Sequence, residues 1–148
     1  MKKRIVTLMI AAVFALGMTA CSGQADQPED DSTASADQAA EEQDEEARPE
    51  LAAQIENPDQ YDTILLGYPN WWGDMPMPLY TFLEEYDFSG KTIIPFTAHG
   101  GSGFSDTVST IADLQPDAEV SDSGLSISRN DVADAESEIS SWAEGLRL

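Results

Sequence analysis

Cysteine and histidine are almost absent from this chain of 148 residues, which carries one of each, Cys21 and His99. A single cysteine excludes an intrachain disulfide. One imidazole and one thiol do not assemble a metal site of the usual nitrogen and sulfur ligands. Nor do they support a hydrolytic triad: Ser102 sits in Gly-Gly-Ser-Gly rather than in a Gly-x-Ser-x-Gly elbow, and the sole histidine shares its loop. Basic residues are scarce too. Seven Lys and Arg stand against 28 Asp and Glu, a formal net charge of −21. Such a surface repels nucleic acid, which needs a basic footprint, and equally repels anionic lipid headgroups. The apolar run over residues 5–17 is too short to span a bilayer as a helix.

That run nevertheless has a meaning. It follows Lys2-Lys3-Arg4 and ends in Met18-Thr19-Ala20-Cys21. A basic start, an apolar stretch and small residues before a cut are the features of a secretory leader, here residues 1–20. With cysteine at the cut, the segment resembles a bacterial lipobox. The resemblance implies diacylation of Cys21 and attachment to the outer face of the cell membrane, because two acyl chains bury enough methylene to anchor a protein. Ordinary secretion with an unpaired thiol is the alternative. Removing the leader would leave four basic residues against 28 acidic ones, a net charge of −24.

Residues 21–47 are rich in Ser, Ala, Gln, Asp and Glu and lack aromatic and large aliphatic side chains. They offer too little apolar surface to offset the entropy of ordering, so an extended acidic linker is expected. The folded part is expected over residues 48–148, enough for one domain. Residues 61–66 (YDTILL) and 91–97 (KTIIPFT) have the short, β-branched composition of buried strands. Pro95 would cost the second of these a ladder bond and points to a bulge or break. Residues 118–120 and 124–127 read as short strand pieces. Helices are expected over residues 78–86, 105–114 and 130–146, the last with Val132, Ala135, Ile139, Trp142 and Leu146 at helical spacing. Strands alternating with helices predict βαβ units and a parallel sheet.

Two loops then follow successive parallel strands and must emerge at the same sheet edge, where α/β folds bind ligands. Residues 67–78 (GYPNWWGDMPMP) are stiffened by three prolines and carry Trp71 and Trp72. Those two rings could line a ligand site or cap a core or partner surface. Residues 98–104 (AHGGSGF) bare backbone N–H groups without side-chain hindrance. His99 could donate to a ligand or simply stabilise its loop.

The order GYPNWWG, then Tyr-Asp-Phe-Ser-Gly-Lys, then Thr-x-x-Gly-Gly-Ser-Gly resembles the C-terminal two thirds of flavodoxin-like proteins, as does the closing SISRNDVADAESEISSWAEGL. The resemblance implies a three-layer α/β fold with a parallel sheet and FMN at its switch point. It implies that Pro69, Asn70, Trp71, Trp72 and Gly73 stack on and hydrogen-bond the isoalloxazine, with Tyr68 or Phe104 as a further stacking partner. Thr97, His99, Gly100, Gly101, Ser102, Gly103 and Phe104 would close on the other side. Backbone N–H groups of Gly73, Gly100, Gly101 and Gly103 would bond its polar edge. Asp74 and the overall charge would disfavour an anionic reduced ring. One departure stands out: the first strand, the hydroxyl-rich phosphate loop and the first helix are not recognisable, so strands 1 and 2 are expected to be missing and the domain truncated. The strand over 61–66 would then be a bare apolar edge, open to a second copy or a partner chain. Two functions follow: a membrane-anchored FMN protein passing electrons between a redox partner and a quinone or similar carrier, or a non-catalytic module that binds a partner and no FMN alone.

Overall fold

The computed structural model describes residues 5–9 and 31–146. Its frame is one parallel sheet. Strand β1 (Ile5–Met9) pairs with β2 (Thr63–Pro69), β2 with β3 (Thr92–His99), and β3 with both β4 (Glu119–Val120) and β5 (Leu125–Ser128). Helices α1 (Asp31–Asp44), α2 (Met77–Glu85), α3 (Thr107–Leu114) and α4 (Glu136–Gly145) complete it.

Side-chain alternation along the strands decides what covers each face. Ile64, Leu66 and Tyr68 of β2 and Ile93 of β3 join the buried core with Leu79, Phe82 and Leu83 of α2 and Ile111 of α3. The three α2 residues recur at three- and four-residue spacing, so one helical stripe meets one sheet face. Pro76 and Pro78 stand at the helix start, where a missing N–H costs nothing. On the other face Phe96 of β3 packs against Trp142 of α4, ring centroids 5.8 Å apart. Gly67, paired with Phe96, leaves room for that ring: a β-carbon there would lie 2.2 Å from it.

Pro95 explains the division between β4 and β5. The Ile93 carbonyl accepts from Ser121 N at 2.8 Å. Two residues on, Pro95 turns its peptide to the same side, where it has no N–H to give. The pairing stops at Ile93↔Val120 and resumes at Phe96↔Leu125.

Three expectations are corrected. First, β2 is not an edge strand. Ile5–Met9 lies parallel to it in the register Ile5↔Thr63 to Met9↔Gly67. Apolar, β-branched composition suits a leader and a buried strand alike, which is why composition alone did not separate them. Cys21 and the rest of the expected leader lie outside the described residues. Second, residues 31–44 are helical rather than an extended linker. Ala, Gln and Glu are good helix formers, and Ala39 is buried where α1 meets α2. Third, α4 begins at Glu136, not Asn130. A 3-10 turn over Val132–Asp134 precedes it, only Ala135 of the expected stripe is buried, and Val132 and Ile139 are exposed.

Candidate functional site

The loops after β2 and β3 face each other across an open cavity of about 750 Å³, within the range typical of small-ligand sites. Asn70, Trp71, Trp72 and Gly73 form one wall; Gly100, Gly101 and Ser102 form the other; Arg129 stands beside them.

The first wall is a tight turn. Trp71 N donates to Asp74 O at 2.8 Å, and Asp74 N returns a bond to Trp71 O at 2.9 Å. The residues between them both have positive φ, +49° at Trp72 and +87° at Gly73, as a type I′ turn requires. Glycine adopts this freely; tryptophan pays for it, on the order of 1 kcal/mol or more. The strained residue is also 62 % exposed. The Trp72 side chain is therefore not a core cap, and it stands in water at the edge of a parallel sheet where ligands bind in such folds.

Asn70 joins the walls. Its Nδ2 donates to Gly103 O at 3.0 Å and to Ser105 Oγ at 3.3 Å; its Oδ1 accepts from Gly73 N at 3.1 Å and Ser102 Oγ at 3.2 Å. Its backbone N donates to Ala98 O at 2.8 Å. The second loop is shaped by His99, whose Nδ1 accepts from Gly101 N at 2.9 Å. This histidine stabilises its own loop.

Other expected residues sit away from the cavity lining. Thr97 is buried between strands, its Oγ1 donating to Tyr68 O at 2.8 Å. Tyr68 is itself in the core, its hydroxyl 2.6 Å from Thr107 Oγ1, and burial pushes its pKa up to about 12. Phe104 packs against the hydrophobic core. Neither ring is placed to stack on a ligand in the cavity. Pro69, His99 and Gly103 frame the lining without belonging to it. The expected donors change as well: Gly73 N and Gly101 N are consumed inside their loops. The N–H groups of Trp72, Gly100 and Ser102 have no acceptor among the described residues, and all three residues line the cavity.

Asp74 is turned away. Its Oδ1 accepts from Met75 N and its Oδ2 from the Tyr80 hydroxyl, each at 2.7 Å. Burial, and then this bond to a carboxylate, hold the Tyr80 hydroxyl far above its usual pKa.

Two contributors were missed by sequence reasoning. Arg129 follows β5, and its N donates to His99 O at 2.8 Å, which sets it beside the second loop. The rule that parallel strands deliver their following loops to one edge could have found it. Gln43 of α1 donates through Nε2 to Trp71 O at 2.9 Å, bracing the tryptophan turn from outside. Nothing in the local sequence announces that contact.

A model of the flavodoxin family, described as "Flavodoxin", matches residues 11–146. Among solved structures, a candidate flavoprotein of Bacteroides uniformis is 32 % identical, with a TM-score of 0.54 over 62 % of this chain and 57 % of that one. A candidate flavoprotein of Bacteroides eggerthii is 28 % identical, with a TM-score of 0.55 over 61 % of this chain and 56 % of that one. The chain thus spans less than two thirds of the length of either. A flavoprotein of Lactobacillus acidophilus, solved in complex with FMN, is 25 % identical, with a TM-score of 0.51 over 76 % of this chain and 70 % of that one. No curated protein matches.

Proposed function

The chain belongs to the flavodoxin family, and from that premise we propose that it binds FMN in the cavity between Trp71-Trp72 and Gly100–Ser102 and serves in electron transfer. One observation carries this reading: Trp72, Gly100 and Ser102, whose N–H groups have no acceptor among the described residues, line an aromatic-walled cavity. A planar ring with polar edges satisfies both features, because its face covers the indoles and its carbonyl and nitrogen acceptors take the N–H groups. FMN, when bound, supplies the one- and two-electron chemistry.

The residues then have separable tasks. Trp71 and Trp72 contribute apolar surface that excludes water from one side of the ring. Gly100 and Ser102 give backbone hydrogen bonds, the Ser102 hydroxyl being turned to Asn70. Asn70 holds the two walls at a fixed separation, so the site is formed before the ligand arrives and less ordering entropy is lost on binding. No side chain of the cavity acts as a nucleophile or general base. The electrons would pass between a redox partner and a quinone or similar carrier. Lipid on Cys21, on the outer face of the cell membrane, would place the protein beside such a carrier, but only in a form cut before Cys21, which would lack β1 and expose β2 as an edge.

The test is titration of the purified full chain with FMN, following tryptophan and flavin fluorescence. Saturable mutual quenching at micromolar FMN supports the reading. A folded far-UV spectrum with no quenching overturns it and leaves a non-catalytic module that binds a partner chain.

A further inference from the structure

A chain with 28 acidic and seven basic residues leads one to expect a site hostile to negative charge. The cavity is built otherwise. Among the described residues its one charged lining residue is Arg129. The guanidinium stands at Gly100, close enough that a β-carbon on that glycine would touch it at 3.9 Å. Among the described residues the one ion pair is Arg48 with Glu84, at 2.9 Å. Among the described residues no carboxylate forms an ion pair with Arg129. The acid nearest in sequence to the tryptophans, Asp74, has both oxygens engaged by Met75 N and Tyr80 and lies outside the lining. Trp72, Gly100 and Ser102, whose N–H groups have no acceptor among the described residues, line the same space and can add positive ends of dipoles to it.

We propose that Arg129 sets the charge of the cavity and thereby favours a negatively charged form of the ring held there; this rests on the FMN reading above. The balance is simple. Two electrons and one proton convert the neutral oxidised ring into a singly anionic reduced ring. A nearby guanidinium, protonated at every relevant pH, lowers the free energy of the charged form and leaves the neutral one almost unaffected. The midpoint potential is thereby raised against the expectation set by the chain's net charge. Arg129 is a tuning residue: it accepts no electron and moves no proton.

The experiment is a reductive titration of the full chain loaded with FMN, using dithionite and an indicator dye, on wild type, Arg129→Gln and Arg129→Lys. Oxidised-FMN affinity is read in parallel by fluorescence. In R129Q the preference for the reduced over the oxidised cofactor should fall about tenfold, a drop of about 30 mV for a two-electron couple. Its oxidised-FMN Kd should rise by a smaller factor than its reduced-FMN Kd. R129K, which keeps the charge, should retain more than half of the difference, and added salt should narrow it. An R129Q potential equal to wild type overturns the proposal, as does an R129K shift as large as that of R129Q. Loss of oxidised-FMN binding in R129Q alone also overturns it, because Arg129 would then hold the ring rather than tune it. A wild-type chain that binds no FMN overturns both this proposal and the functional reading, whereas FMN binding with an unshifted R129Q overturns this proposal only.

Discussion

Asn70 Nδ2 donates to the carbonyl of Gly103 at 3.0 Å, joining loops 33 residues apart in sequence. The same amide is satisfied on its other side by Gly73 N and Ser102 Oγ. One side chain thus sets the spacing of the two walls.

Replacing Asn70 by Ala removes these bonds and leaves partners on both loops unpaired. The expected cost is about 1–3 kcal/mol of folding stability, measured by chemical denaturation. A fall in FMN affinity should exceed what the lost stability explains. Asn70→Asp should be as damaging at neutral pH, since it keeps the acceptor but removes the donor to Gly103.

Trp72 separates stability from binding. Its φ of +49° is costly for tryptophan, and its side chain is mostly exposed. Trp72→Gly should leave the fold as stable or improve it by about 0.5–1 kcal/mol. The same variant should weaken FMN about tenfold or more through lost stacking. Equal affinity for wild type and variant, in the titration above, would remove Trp72 from the site.

Alkaline pH should unfold the core through Tyr68. Its folded pKa is raised to about 12 from 10.0, first because burial disfavours the phenolate. The protonated form is therefore the one that folding prefers. This stabilisation is complete below pH 10 and is lost as pH rises from 10 toward 12. Phenolate absorbance and far-UV ellipticity should change together in that window for wild type, and Tyr68→Phe should delay the loss of ellipticity.

Thr81 offers the opposite case. Its Oγ1 is buried in α2 with no hydrogen-bond partner among the described residues. Thr81→Val keeps the shape and removes the unsatisfied hydroxyl, so stability should hold or rise by about 1 kcal/mol. Thermal melts of the two proteins decide it.

The strands and the shared edge of their loops were legible in the sequence because hydrophobic runs and Gly-Pro punctuation are local signals. Ile64, Leu66 and Ile93 lie where those runs put them, in the core. The roles of single residues were less legible. Tyr68 and Phe104 were expected as stacking partners of a ligand ring, yet Tyr68 is buried and Phe104, half-buried, packs against the core. Whether an aromatic faces a ligand or a core depends on strand parity, and a boundary misplaced by one residue inverts the answer. Residues 31–44 were misjudged for a different reason. Their composition predicts low burial, which is accurate, but a helix needs only a shallow seat such as Ala39 and one anchor such as Gln43. Arg129 was overlooked although residues 124–127 were expected as a strand, because the residues that follow them were read as a helix start and not as a loop at the shared edge.

That division has a consequence for how the molecule comes apart. β4 and β5 grip β3 at separate patches, with Ile94 and Pro95 unpaired between them on that side. Cooperativity passes poorly through a gap in a ladder. The segment from Leu125 through α4 can therefore open as its own unit while β2 and β3 stay closed. In hydrogen exchange its amides should let deuterium in earlier than those of Ile64 or Ile93. Arg129 travels with that unit, so each opening would lift the cation away from the cavity and return it, a local breathing motion that couples exchange at one end of the sheet to charge at the site.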